Sequence, residues 1–499
     1  MTQFNELSNS KNNQSDRLHA GRMLWLGLLL VLAAVVFALR NLPWHLDNYD
    51  QAKQAFAALD VVRNGNWLLQ SLPMGGFATK PPLMAWLQAG AYWLVGGNWE
   101  VAWRLPSYVA ALVLLGVLAR TGWRMGAMTG AVVAVSAFAF NMLSIRIATL
   151  VRTDMLLALL CFLPGLMVYQ HVNGETQWTK RGHWLMFLLI LAGVFAKGHS
   201  VYAFVLPGLL FYAVVMWKRG QTNVSWPGWL ALWMPLAVFV MAVVWAVARN
   251  PAFYDQIVVG EIYSVFGAGG GEGGRSQHLF YYVVHLLQKW APWSLVLMLY
   301  AFLDRRRLRQ YWRDPGFVWL ICWVAGGLLV MSLVPQKRVD RIYPVIAPLC
   351  MLLTYLIVSS DRIIVMRMPV KRFVGGLVVL GVLGWTLYTG VEVWNDYRRG
   401  ANALKQFSRE LAQRYDARHI EVVAPCAEGF VCDLEKARPL SEKEALLRWH
   451  DQPAVLIASQ FFIDRHNEQL APFEIVLLVD DPFYDTRYAC IQKVARSEP

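Results

Sequence analysis

The sequence predicts a polytopic α-helical membrane protein of about 11–13 transmembrane helices, followed by a small C-terminal α/β domain. Three observations carry that reading. Of 499 residues, 57% are apolar and only 16% charged, where soluble chains run near 45–50% and about 25%. Apolar stretches long enough to cross a bilayer recur as far as residue 391, and mean hydropathy is +0.38. From residue 396 the composition changes to short helical and strand patterns separated by polar turns. The same figures exclude a disordered chain and a secreted disulfide scaffold. The net charge of +13 would point to nucleic acid in a soluble protein, so the location of the excess decides its meaning.

The first span is Met23–Leu39, behind a basic segment (1–22) containing Lys11, Arg17 and Arg22. It runs into Arg40-Asn41-Leu42-Pro43 with no small-x-small cleavage site, so it reads as a retained anchor. Further spans are expected near 104–120, 127–145, 155–170, 183–199, 201–217, 228–248, 291–303, 316–334, 343–359 and 373–391. Positive charge accumulates in cytoplasmic loops. With the N-terminus inside, every strong cluster falls inside: Arg120/Arg124, Lys180/Arg181, Lys218/Arg219, Arg305–Arg313 and Arg362–Arg372. This alternation requires that the apolar stretch Leu83–Val95 does not cross, so 50–96 is expected to form interfacial or re-entrant helices. The loops 41–103, 249–290 and 335–342 then face outward, on the membrane domain 23–395, as does the tail 396–499. Asp154 and Lys197 fall at the same outer boundary, where charge is costly and marks function or a paired partner.

The tail is expected to hold a helix near 400–413, a strand at His419–Ala424, a helix from Ser441 with a Ser441-x-x-Glu444 capping box, and strands at Ala454–Ala458 and Glu474–Val479. Cys426 and Cys432 lie six apart in this outward tail, where an oxidising compartment permits a disulfide. Cys161, Cys322 and Cys350 sit in apolar spans as small hydrophobes. No clustered His/Cys spacing supports a metal site.

The outward segments carry the distinctive motifs. The first reads Asp50-Gln51-Ala52-Lys53, Gly65-Asn66-Trp67, Lys80-Pro81-Pro82-Leu83 and Ala102-Trp103-Arg104-Leu105-Pro106-Ser107. Asp50 and Lys53 share a helix face, which an ordinary surface ion pair would also satisfy. Downstream come Arg152-Thr153-Asp154-Met155, Lys197-Gly198, His278 with Tyr281-Tyr282, Pro292-Trp293, and Lys337-Arg338 through Arg341-x-Tyr343 to Pro348. In this order the set resembles the bacterial lipid A aminoarabinose transferases and the related protein O-mannosyltransferases of the C-type membrane glycosyltransferase (GT-C) superfamily. Asp50 takes the Asp position of that family's acidic pair, while Gln51 replaces its Glu, Lys53 its Arg and Asn66 its following Asp.

The resemblance implies a GT-C-like fold in the bacterial inner membrane, with a periplasmic active site. It implies transfer of a sugar from a polyprenyl-phosphate, such as undecaprenyl phosphate, to lipid A, another envelope glycan or a protein hydroxyl. Such a reaction needs a base for the acceptor's proton and cations for the departing phosphate. Asp50 and Asp154 are the candidate catalytic carboxylates. Lys53, Lys80, Lys197, Arg275, His278, Lys337, Arg338, Arg341 and Tyr343 are candidates for donor and phosphate binding. A neutral Gln51 cannot act as base, which leaves the second carboxylate of the pair open. The sequence leaves a divalent cation undecided and gives no sign of nucleic acid. A transporter of an anionic lipid is the alternative of a different class, and would place charges at mid-span. Gly267–Gly274 lacks the strand and Lys-Ser/Thr of a phosphate loop and reads as an outer loop.

Overall fold

A computed structural model describes residues 21, 23–46, 50–220, 226–260, 278–360, 364–365, 368–436, 438–451, 455–482 and 485–494. Among them, seven helices are long and apolar enough to cross a membrane, and eight if the bent pair Tyr281–Lys289 and Trp293–Leu303 forms one span. The other expected spans are helical too. Met23–Leu39 is a shorter apolar helix. Lys180–Lys197 carries charge at both ends. Trp99–Ala139 contains the expected span 104–120 and most of 127–145, the remainder falling in the short helix Met142–Ile147; its helical geometry breaks at Gly126 and Ala127, where φ of Ala127 is 49°.

That break is a reversal. In a straight helix residues eight apart are separated by about 12 Å, yet a Cβ on Gly122 would lie 2.4 Å from the carbonyl oxygen of Gly130. The two arms therefore touch backbone to backbone, which only glycine at both positions permits. The Ser200–Lys218 and Pro315–Leu333 helices approach similarly, a Cβ on Gly326 falling 2.6 Å from the Gly208 nitrogen. Small residues are how helices pack where lipid removes the hydrophobic drive between them. Indole donors fasten the bent pair to the hairpin end: Trp290 Nε1 donates to Ala137 O at 2.9 Å and Trp293 Nε1 to Phe140 O at 2.7 Å.

Leu83–Leu94 has 12 residues and so reaches about 18 Å, too short to cross a core of about 30 Å. Together with Gln51–Asn64 it forms a helical layer at one end of the bundle, continuous with the apolar core of the tail. The tail is a four-stranded sheet in the order Ile420–Val422, Val455–Ser459, Arg487–Lys493, Phe473–Asp480. The first pair is parallel and the other two antiparallel. The capping box forms: Glu444 N donates to Ser441 Oγ at 3.3 Å and Ser441 N to Glu444 Oε2 at 2.9 Å. The strand Arg487–Lys493 and the helix Glu428–Asp433 are additions to the elements read from sequence.

The Glu428–Asp433 helix packs on Gln51–Asn64. Cys432 Sγ donates to Ala52 O at 3.4 Å, and this corrects the expected disulfide. Cys426 and Cys432 are both free thiols, because the Cys432 side chain is directed into the seam with the Ala52 helix. Ion pairs complete the seam: Lys405 and Arg409 each meet Glu100 at 2.5 Å. Asp433 sits in the same seam. Burial, opposed by nearby Lys405, pushes its carboxyl up to about 6. A raised carboxyl pKa stabilises the fold below the unfolded value, and that contribution is lost as pH rises toward about 6. Asp433→Asn should therefore raise the Tm at pH 7.5 by a few degrees and flatten its pH dependence between about pH 4 and 6, read by thermal unfolding in detergent.

Candidate active site

Six charged side chains from four segments meet where the interfacial helices join the bundle. Arg152 is the hub. Its Nη1 donates to Asp340 Oδ2 at 2.7 Å, while its Nε lies 3.1 Å from Asp154 Oδ2 and its Nη2 3.2 Å from Asp50 Oδ2 as ion pairs. Arg338 Nη2 closes a ring on the same two oxygens, at 2.7 Å from Asp50 and 3.3 Å from Asp340. Lys197 Nζ pairs with the other oxygen of Asp154. Three carboxylates and three cations make the cluster formally neutral, which is what a low-dielectric boundary demands.

Local structure positions each member. Asp154 opens its helix and Lys197 closes another, so each charge has the sign that the helix dipole favours at that end. Asp50 is the N-cap of Gln51–Asn64. Arg338 and Asp340 flank the start of the 3-10 turn Val339–Val345. The loop carrying Arg152 is clamped on both sides. Ser107 Oγ donates to Leu150 O at 2.8 Å and to Arg152 O at 3.1 Å, while Val151 N donates to Gln51 Oε1 at 3.1 Å. Arg104, in the same motif as Ser107, donates to Trp44 O at 2.7 Å. The Arg104-Leu105-Pro106-Ser107 motif is thus scaffolding for the site.

Exposure grades across the cluster. The Asp154 side chain is 3% exposed, Asp340 16%, Asp50 28% and Arg338 40%. Asp154 is a buried anchor, and Asp50 with Arg338 forms the open face. Burial would push the Arg152 guanidinium down, but Asp154, Asp340 and Asp50 outweigh it and hold it above its usual value. Arg338 is raised in the same way, against burial, chiefly by Asp50.

An apolar cavity of about 340 Å³ is lined by Lys80, Pro81, Pro82, Phe195, Phe239 and Trp245, among others, and Pro81 and Phe239 reach Gly198, the residue after Lys197. Lys80 brings a cation to this apolar lining, and Phe195 is two residues from Lys197. Of the other sequence candidates, Lys53 lies one turn into the Asp50 helix and Lys337 is buried at 7% exposure. Arg341 Nη1 donates to Gln336 O at 2.8 Å. His278 is exposed, its ring 6.3 Å from that of Tyr281. Arg275 and Gly267–Gly274 lie outside the described residues. Tyr343 departs from the donor-binding expectation. It is 1% exposed, its hydroxyl donates to Ser144 Oγ at 3.1 Å, and it anchors the turn inside the bundle. Among the described residues no group of three or more His, Cys, Asp or Glu is placed to hold a metal ion.

Sequence reading missed Asp340. Its only signal was an acid embedded in a basic turn, Lys337-Arg338-Val339-Asp340-Arg341. Arg152 was visible only as a neighbour of Asp154.

No protein-family model matches the chain. In sequence it is 24% identical over 315 residues to the undecaprenyl phosphate-α-4-amino-4-deoxy-L-arabinose arabinosyl transferase of Shewanella sediminis, covering 62% of this chain and 56% of that protein. It is 23% identical over 456 residues to a transferase of the same name from Proteus mirabilis, covering 87% and 79%. The fold matches ArnT from Cupriavidus metallidurans, solved bound to undecaprenyl phosphate, with a TM-score of 0.71 at 16% identity over 94% of this chain and 98% of that one. The chain is a homologue of the aminoarabinose transferases and shares their fold. The oligosaccharyltransferase of Archaeoglobus fulgidus is a more distant match, with a TM-score of 0.52 at 10% identity over 90% and 71%. The alignment with the Shewanella transferase spans little more than half of that protein's length.

The hub sets the stability of the site. Arg152→Gln would leave three carboxylates sharing too few cations, and breaking a buried pair costs about 3–5 kcal/mol. Its Tm should fall well below that of Ser107→Ala, which removes one neutral clamp worth about 1 kcal/mol.

Proposed function

We propose that the chain is an integral-membrane glycosyltransferase that moves a sugar from a polyprenyl-phosphate donor to a cell-envelope acceptor, with lipid A the first acceptor to test. The observation that carries this reading is the Asp50 carboxylate, held between Arg338 and Arg152, in a cluster whose Lys197 adjoins the wall of an apolar cavity lined in part by Lys80. A donor with a long apolar tail and an anionic head needs that combination, and the head would lie where tail and cations meet. The homologues' names, and the undecaprenyl phosphate bound to ArnT, supply the donor class.

In the reaction an acceptor oxygen attacks the anomeric carbon and the bond from that carbon to the phosphate oxygen breaks. The polyprenyl phosphate leaves with the electron pair. For a hydroxyl acceptor, Asp50 takes the proton. Lys80 and Arg338 receive the phosphate, Arg through its bidentate fork and Lys as a point charge. Lys53, Lys337 and Arg341 are further candidates for the same anion. Asp154 and Lys197 hold Arg152 from behind. The N-terminus is placed in the cytoplasm, and the site and the tail 396–499 in the periplasm of the inner membrane, on the charge bias of the loops. A protein hydroxyl is the competing acceptor within this class. A transporter is disfavoured because the cluster is built from helix ends rather than mid-span positions.

Purified chain in lipid nanodiscs, given a labelled undecaprenyl-phosphate sugar, should release undecaprenyl phosphate only when acceptor is present. Asp50→Asn should lose transfer by at least about 100-fold while still binding undecaprenyl phosphate. Undiminished turnover in that variant would remove Asp50 from the base role, and acceptor-independent movement of intact donor would favour transport.

A further inference from the structure

Asp50 and Asp340 stand in equivalent positions around the same two guanidiniums. Each offers its Oδ2 to both Arg152 and Arg338, so two acids and two bases alternate in a ring. The short contacts lie across the ring, Arg338 to Asp50 and Arg152 to Asp340, both at 2.7 Å. We propose that Asp340 is the site's second carboxylate and a positioning residue for transfer: it occupies Arg152 so that Asp50 is released to act as base when the donor phosphate takes Arg338. The inference rests on the function proposed above and adds to it a residue from a segment more than 280 positions from Asp50.

The ring explains the division of labour. Arg338 is its most exposed cation, so an incoming anion competes there first. Once Arg338 turns to phosphate, Asp50 loses its 2.7 Å contact and retains the looser 3.2 Å ion pair with Arg152. Arg152 stays committed at 2.7 Å to Asp340 and at 3.1 Å to Asp154. Asp340 can hold that position because its turn is fixed in the core: Ile342, Tyr343, Pro344 and Val345 are all buried, and Tyr343 is tied to Ser144. Asp154 cannot substitute, since it is enclosed behind Arg152 with Lys197 on its other oxygen.

Removing the Asp340 charge has two effects of opposite sign. More positive field falls on Asp50, making it a weaker base, and on the phosphate, making the donor bind tighter. Other groups around the ring stay in place: Asp154 and Lys197 behind Arg152, Arg341 and Lys337 on the same turn, Lys53 on the Asp50 helix, and the Tyr281 and Tyr282 phenols opposite Asp340.

The test uses full-length wild type and Asp340→Asn in nanodiscs, with undecaprenyl phosphate as the binding probe and labelled donor for turnover. The variant is expected to lose about ten-fold in kcat, with the acid limb of its pH profile lowered by about one unit. Its Kd for undecaprenyl phosphate should be unchanged or a few-fold tighter, and Asp340→Glu should restore most of kcat. A residue that merely held the fold would lower kcat and binding together and leave the pH limb in place. Unaltered kcat and pH limb, or weakened binding, would overturn the proposal. Should the Asn variant fail to fold, Asp340→Ser is read in the same way, and failure of both assigns Asp340 to the fold and overturns its role in transfer. If wild type releases no polyprenyl phosphate with any acceptor, the proposed function fails. The binding measurement then still judges the ring, with tighter or equal binding supporting it and weaker binding refuting it.

Discussion

Arg152 is a single guanidinium surrounded by three carboxylates, and the upper end of the bundle is organised around that fact. Its fork turns one nitrogen to each acid, and the acids come from the Asp50 helix, the Asp154 span and the 3-10 turn that opens the Val339–Ser359 span. No arrangement of apolar contacts would place these segments with such angular definition, because apolar packing is non-directional. Guanidinium hydrogen bonds are directional, and in a poorly screened environment an unpaired member costs several kcal/mol. The same constraint makes the cluster responsive. A neutral set of three acids and three bases cannot accept a phosphate without one acid giving up a cation.

The position of Asp50 depends on more than that cluster. Its helix lies between the membrane bundle and the tail, with Cys432 bonded to the Ala52 carbonyl and the seam closed by Lys405 and Arg409 on Glu100. Asp60, nearly fully buried in the same helix, takes donors from Asn64, Asn66 and the Ser71 nitrogen. Those bonds fix the turn that leads toward Lys80. The tail therefore works as a buttress for the helix that presents Asp50, which couples folding of the sheet domain to the geometry of the site.

The parts of the structure set by local periodicity or by charge bias were legible in the sequence. Apolar runs located the helices, and the basic loops argued that Leu83–Val95 stays out of the bilayer, which its 12-residue helix explains. The Ser441/Glu444 box marked a helix start because its signal is contained within four residues. What sequence could not give is long-range pairing. Nothing local says that Asp340 meets Arg152 across 188 positions, or that Arg487–Lys493 fills the sheet between two strands that precede it. Tyr343 misled because an aromatic beside basic residues looks like a ligand contact, whereas its burial is decided by the Ser144 segment. Cys432 misled for a related reason: sequence spacing permits a disulfide, but the seam with Ala52 directs the thiol elsewhere.

Gln51 shows how the charge count governs residue choice. The resembled family has Glu here, so by sequence the neutral amide reads as a lost carboxylate. In this chain Gln51 is 4% exposed and its oxygen receives the Val151 N–H, holding the loop one residue before Arg152. A carboxylate could accept that bond equally well. It would, however, bring a fourth acid to a cluster with three cations, and the extra charge would fall on the buried side of the Asp50 helix, where solvent cannot screen it. With Gln51 neutral, the acids of the cluster are Asp50, Asp154 and Asp340, and the balance of three against three is kept.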